Sequence, residues 1–253
     1  MGAPPSRHGR AIDVGVAGSA WTTRHSRKAT PMHSLQFTAE SSSNGMVERD
    51  FTVGEVPGVL WFLVTGCGFH VAVIDAPGHG DRPRTAHDEE EITELFRARA
   101  AGEPEGPIVV RYNAHLAELA VPEWRATLDA LQELPEIGAV GPVGYWGINM
   151  GTAIGVPLVV VEPRITAAVF GQHWPDILAE QAEQITIPIE FDMQWDDEHI
   201  SREEGLALFD AFASKEKTLH VNAGQHKQLP RFEADSAVRF FARHLRPAVI
   251  ASA

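Results

Sequence analysis

The pentapeptide Gly147-Ile148-Asn149-Met150-Gly151 constrains this chain more than any other segment. It has the pattern of a G-x-S-x-G elbow with Asn standing where Ser belongs. Gly144-Tyr145-Trp146 reads as the end of a strand, and Thr152-Ala153-Ile154-Gly155 as the start of a helix. Such an elbow is a strained strand-to-helix turn that lifts one side chain above a sheet. Its glycines let the backbone pass closely on either side. The central residue takes a positive φ, which Asn tolerates better than most residues. Asn149 therefore keeps the backbone shape and removes the nucleophile, since a carboxamide supplies no useful nucleophile at neutral pH.

The rest of the chain, 253 residues in all, fits one large domain. Residues 51–60 read as a short strand region broken by Gly and Pro. Residues 69–75 are apolar and β-branched, as in a buried parallel strand, and end in Ala76-Pro77-Gly78-His79-Gly80. Residues 87–101 are acidic first and basic later, which suits a helix dipole, with 88–91 as a solvated first turn. Residues 108–134 are helical, with Pro122 starting a second helix or kinking the first. Strands follow at 142–148, 166–171, 185–194 and 218–221. Helices are expected at 152–160, 202–214 and 234–244. Strands alternating with helices predict an α/β fold with a doubly wound, mostly parallel sheet. Residues 1–48 are expected to be a disordered or poorly ordered tail, with Met32 or Met46 as alternative starts, and residues 49–253 the domain.

Charge and composition exclude several classes. A formal net charge of -13, from 21 basic and 34 acidic residues, disfavours nucleic-acid binding. The single cysteine, Cys67, excludes an internal disulfide framework and points to a reducing cytoplasm. No apolar run is long enough to cross a membrane, and residues 11–20 make no convincing signal-peptide core. No H-E-x-x-H or clustered Asp/His spacing supports a metal, so neither metal nor cofactor is expected. His70 and His220 sit in strand patterns as structural residues, and His79 stabilises a loop. His173 and Trp174 follow a strand end, where packing competes with bordering a site.

Two further segments join the elbow. Gln194-Trp195-Asp196-Asp197-Glu198-His199-Ile200 follows a strand, and Asn222-Ala223-Gly224-Gln225-His226 follows the last one. The chain order is nucleophile position, acid, histidine. In this the chain resembles the α/β-hydrolase superfamily, nearest to dienelactone-hydrolase and acyl-peptidase-like esterases, over about residues 47–245. That resemblance implies Asp197 as the triad acid, three residues before Ile200, with Asp196 as the adjacent alternative. It implies His226 as general base and the backbone N–H of Met150 as an oxyanion donor. Taken singly, an Asp pair before a helix is often only a cap, and a His after a strand only a surface residue. Their order with the elbow is what makes them a set.

The family also has a second oxyanion donor on a glycine-rich loop after its third strand. Between Trp61 and Phe69 stand only Phe62-Leu63-Val64-Thr65-Gly66-Cys67-Gly68, fewer than the roughly dozen residues a parallel crossover needs. Either a strand, its loop and most of a helix are missing between Trp61 and Phe62, or residues 59–64 form the strand. The second arrangement turns at Gly66-Cys67-Gly68 and forces antiparallel pairing with the next strand. The functional expectation is a relative of carboxylic-ester hydrolases whose hydrolysis of a small ester-like ligand is weakened or lost. The alternatives are a cofactor-free lyase, cyclase or isomerase using Asp197 and His226 as a base, and a non-catalytic binding protein.

Overall fold

A computed structural model describes residues 14–15, 34–43, 46–62 and 68–245. Alternation along one strand shows how its layers arise. In Ile165–Gly171, Ala167 and Val169 face one side and Ala168 and Phe170 the other, and all four are fully buried. The first pair packs under Phe241 of the last helix and Leu245 just after it. The second pair packs with Tyr145, Ile154 and Phe212 in the larger core. A strand buried on both faces reads as a near-continuous apolar run, which is what a sheet covered on both sides requires.

In chain order the strands are β1 Val14–Gly15, β2 Leu35–Ser43, β3 Met46–Val53, β4 Val56–Phe62, β5 Val71–Ile74, β6 Val143–Trp146, β7 Ile165–Gly171, β8 Ile189–Gln194 and β9 Lys217–Asn222. The helices are α1 Ala86–Ala101, α2 Gly106–Gln132, α3 Met150–Val161, α4 Ala179–Ala182, α5 Arg202–Ala211 and α6 Phe232–His244. Among the described residues they form one sheet of order β2-β3-β4-β5-β1-β6-β7-β8-β9. Strands β6 to β9 are parallel, joined through α3, α4 and α5. Strands β2 to β5 are antiparallel. The α/β fold with a mainly parallel sheet half is therefore present, with an antiparallel N-terminal half added.

Three expectations are corrected. Residues 35–48 do not belong to a tail: β2 and the start of β3 lie there, the two strands pairing from Leu35↔Val53 to Ser43↔Met46. The rest of residues 1–33, apart from β1, lies outside the described residues. Residues 88–91 are not wholly solvated, because Asp88 and Glu91 are buried. Asp88 closes a capping box with Thr85 and accepts from the Tyr112 hydroxyl at 2.9 Å, and Glu91 takes both arms of Arg111. Finally, β5 is not paired as a parallel strand. It pairs antiparallel with β4, Trp61 opposite Val71, as the second arrangement of this region requires. On its other side it pairs antiparallel with β1, which is also antiparallel to β6. Among the described residues, no parallel strand lies between β5 and β6. Residues 63–67, with Cys67, lie outside the described residues. Pro122 sits inside one continuous helix, α2, rather than starting a second.

One part of the core is not apolar. Glu190 and Asp192 of β8, His220 of β9 and Glu233 of α6 converge, and the three carboxyl residues are buried. Burial first, then the charges of Glu233 and Glu190, push the Asp192 carboxyl from 3.8 up to about 7. Burial likewise raises Glu190. Burial lowers His220, but the hydrogen bond to Glu233 and the surrounding carboxylates outweigh it, and the net shift is upward. A carboxyl raised on folding holds a proton that the unfolded chain has released, so stability falls as pH rises between the two values. A raised histidine adds stability below its unfolded value that is lost as pH climbs through the folded one. Asp88, Glu91, Glu105 and Glu162 are shifted downward, so their titration lies below this window. Burial pushes His70, His173 and His244 down, and below 6.5 they act in the opposite direction, so the window free of them starts there. In chelator, urea unfolding is therefore expected to show lower stability at pH 8 than at about pH 6.5. Asp192→Asn should flatten that slope; an unchanged slope would remove Asp192 from the explanation.

Candidate active site

The elbow forms as the pentapeptide requires. Strand β6 ends at Trp146, α3 begins at Met150, and Asn149 between them has φ 61° and ψ −117°. A β-carbon on Gly147 would sit 2.6 Å from the Gly151 carbonyl group, so only glycine fits there. The turn is bolted to β7. The Asn149 N–H donates to the Gly171 carbonyl at 3.0 Å. The buried Thr152 hydroxyl lies 2.9 Å from the Gly147 carbonyl and 2.6 Å from that of Gly171, and it accepts from the Gly171 N–H at 2.9 Å. The Tyr145 hydroxyl donates to the Gly151 carbonyl at 2.7 Å. These bonds hold a positive-φ residue that would otherwise cost about 1–3 kcal/mol.

Asp197 and His226 meet at this turn. The register of parallel β8 and β9, with Gln194 opposite Asn222, brings the two following loops side by side. His226 Nδ1–H donates to Asp197 Oδ2 at 2.7 Å. Asp197 Oδ1 accepts the backbone N–H groups of His199 at 2.8 Å and Ile200 at 3.0 Å. That clamp explains why the acid sits three residues before Ile200. Glu198 accepts the His226 backbone N–H at 2.9 Å, and the His199 ring stands edge-on to the His226 ring. With its proton on Nδ1, neutral His226 presents Nε2 as an acceptor, and Asn149 Nδ2 donates to it at 2.6 Å. The side chains of His226 and Asp197 are 7% and 4% exposed, so the dyad is almost dry. Asp196, the other acid considered, points away: it is exposed and 3.3 Å from Arg202.

Met150 is the first residue of α3, and the N–H groups of a helix's first turn have no acceptor within the helix. Its N–H lies directly after Asn149 at the start of α3. A glycine-rich loop following a parallel strand between β5 and β6 has no counterpart among the described residues. The loop after β5 is held by its own contacts: His79 Nδ1 is 2.8 Å from the Pro77 carbonyl, and Asp75 accepts the Asp81 N–H at 2.9 Å. His173 is buried, and burial pushes its imidazole down to about 4. Its neighbour Trp174 lines a cleft of about 1000 Å³ with Val110, Ile177, Glu198 and His199. The cleft reaches the dyad through His199, but neither Asn149 nor His226 lines it. The Glu190–Asp192–His220 cluster was not recognised from sequence; the one signal was two acids at i and i+2 in a strand that otherwise reads as buried.

No family model and no curated protein sequence matches the chain. Solved structures do. A cold-adapted esterase from an Arctic intertidal metagenomic library is 26% identical, with a TM-score of 0.63 over 83% of this chain and 100% of that one. An acetyl xylan esterase from Paenibacillus sp. R4 is 11% identical, with a TM-score of 0.56 over 85% and 90%. An esterase of Pyrococcus furiosus is 12% identical, with a TM-score of 0.55 over 88% and 99%. The chain has the α/β-hydrolase fold of these esterases and is structurally related to carboxylic-ester hydrolases. No helix among the described residues is long and apolar enough to cross a membrane.

Proposed function

We propose that this protein descends from a serine ester hydrolase and that its hydrolysis is weakened or lost. The observation that carries this is the line Asn149–His226–Asp197, with hydrogen bonds of 2.6 and 2.7 Å, in which a carboxamide occupies the nucleophile position. In a working triad the histidine takes a proton from a hydroxyl while the acid fixes its tautomer. Here Asp197 fixes the tautomer, but the group facing Nε2 is an amide N–H that remains an amide. The base therefore has no nucleophile to activate. The esterase relationship and the α3 N-terminus at Met150 support an acyl-transfer ancestry. A small ester-like molecule is the ligand class that this ancestry and the adjacent cleft fit.

A lyase or isomerase acting through Asp197 and His226 would need Nε2 open to a substrate proton. The Asn149 amide already donates to that nitrogen, which favours the weakened-hydrolase reading over it. The test is turnover of p-nitrophenyl acetate by the wild-type chain. The expected rate matches that of His226→Ala, at the level of buffer. Turnover well above buffer that His226→Ala abolishes would sink the proposal.

A further inference from the structure

We propose that Glu190, Asp192 and His220 bind one divalent cation of the zinc type between β8, β9 and α6. The site lies within the fold, distinct from the Asn149–His226–Asp197 line. One ligand atom from each of the three residues lies within 4.8 Å of the other two. In tetrahedral zinc sites, bonds of about 2.0–2.2 Å place ligand atoms roughly 3.3 Å apart, so modest side-chain rotation closes the set. Asp192 is wholly buried, and neither of its carboxylate oxygens has a hydrogen-bond partner among the described residues. His220 Nδ1 stands 3.7 Å from Asp192 Oδ1, beyond hydrogen-bond range. Glu190 Oε1 is likewise buried and without a hydrogen-bond partner, while its other oxygen accepts from Ser236 at 3.2 Å. Buried carboxylates left in this condition are costly, and a dication offsets two of them at once.

The surroundings already orient the histidine. His220 Nδ1–H donates to Glu233 Oε2 at 2.7 Å, and the other Glu233 oxygen accepts from Asn222 Nδ2 at 2.8 Å. That leaves Nε2 as the donor atom for a metal, 3.8 Å from Glu190 Oε2. A carboxylate holding the far nitrogen of a ligating histidine is the usual outer support of a metal site. Two carboxylates with one imidazole suit zinc and similar ions better than magnesium or calcium, which prefer oxygen alone. Asp192 and His220 are opposite each other in the β8–β9 register, so the ion would pin the two strands that lead to Asp197 and His226.

The experiment treats the full chain with chelator, desalts it, adds zinc chloride at pH 7.5, and measures retained zinc by mass spectrometry and Tm by scanning fluorimetry. Wild type is expected to retain one zinc per chain. At a hundredfold excess over Kd its Tm should rise by roughly 5–10 °C. Asp192→Asn preserves the side-chain shape and should lose zinc retention at least tenfold, with no Tm rise; His220→Ala should lose it too. Magnesium should leave wild type unchanged. Three results would each overturn the proposal: no zinc retained by wild type, equal retention by Asp192→Asn, or an equal response to magnesium. Equal retention by Asp192→Asn would place the metal on surface groups such as His87 and His115 instead.

Discussion

Asn149→Ser is expected to raise p-nitrophenyl acetate turnover by about a thousand- to ten-thousandfold over wild type. The magnitude follows from two opposed terms. Removing the nucleophile of a dissected serine protease costs about a million-fold in rate, so restoring it returns at most that much. An oxyanion site short of one donor forfeits about a hundred- to a thousandfold. Here the backbone N–H of Met150 is in place, while the partner loop has no counterpart among the described residues. The remaining parts of the triad need no repair: Asp197 holds His226 Nδ1 at 2.7 Å, and the backbone at position 149 is already at φ 61°. A serine oxygen is one bond closer to the main chain than the Asn149 amide nitrogen. His226 must therefore lean in, or a water must bridge, to reach it. The gain should vanish in Asn149→Ser with His226→Ala. A gain that survives loss of His226 would mean that the serine acts without the dyad.

Gly171→Ala should produce the largest loss of stability among single-methyl additions at the site. A β-carbon there would lie 2.1 Å from the Asp192 carbonyl oxygen and 2.9 Å from its carbonyl carbon. Both are backbone atoms of the neighbouring strand, so no rotamer change relieves the contact. Strands β7 and β8 must separate where Gly171 pairs with Asp192. The same glycine anchors the elbow through its carbonyl and its N–H. Overpacking of this kind costs about 3 kcal/mol. For a domain of this size that lowers Tm by roughly 6–12 °C. Denaturant unfolding would measure it directly. A variant as stable as wild type would show that β7 and β8 are looser than described.

The parallel half of the fold was legible because its signals are local. Strand β7 carries an uninterrupted apolar run, and α6 spaces Ala237 and Phe241 on one face. The elbow was legible for the same reason, since five adjacent residues hold the whole backbone requirement. Asp197 and His226 needed only the chain order and a strand before each. What could not be read depends on distant partners. Strand β2 exposes most of its residues, and its apolar alternation of Leu35, Phe37 and Ala39 gives way to Glu40-Ser41-Ser42-Ser43, too short a signal to mark a strand. Asp88 and Glu91 look solvated until Tyr112 and Arg111, 24 and 20 residues away, are brought onto them. The pairing of β5 with β4 was one of two arrangements the sequence allowed, but its other neighbour is supplied by Val14 and Gly15, far upstream. The Glu190–Asp192–His220 cluster exists only because of the β8–β9 register and the return of α6. A search for metal motifs by local spacing passes over it.

The account rests on position 149 being a nucleophile site that now holds an inert amide. The most direct measurement is the ratio of kcat/KM for p-nitrophenyl acetate between Asn149→Ser and wild type, with His226→Ala as the floor for each. The prediction is a wild-type value at its floor and a ratio of at least about a thousand. A ratio near one, with wild type well above its own His226→Ala floor, would contradict it, since the Asn149 chain would then be hydrolysing esters through the same histidine.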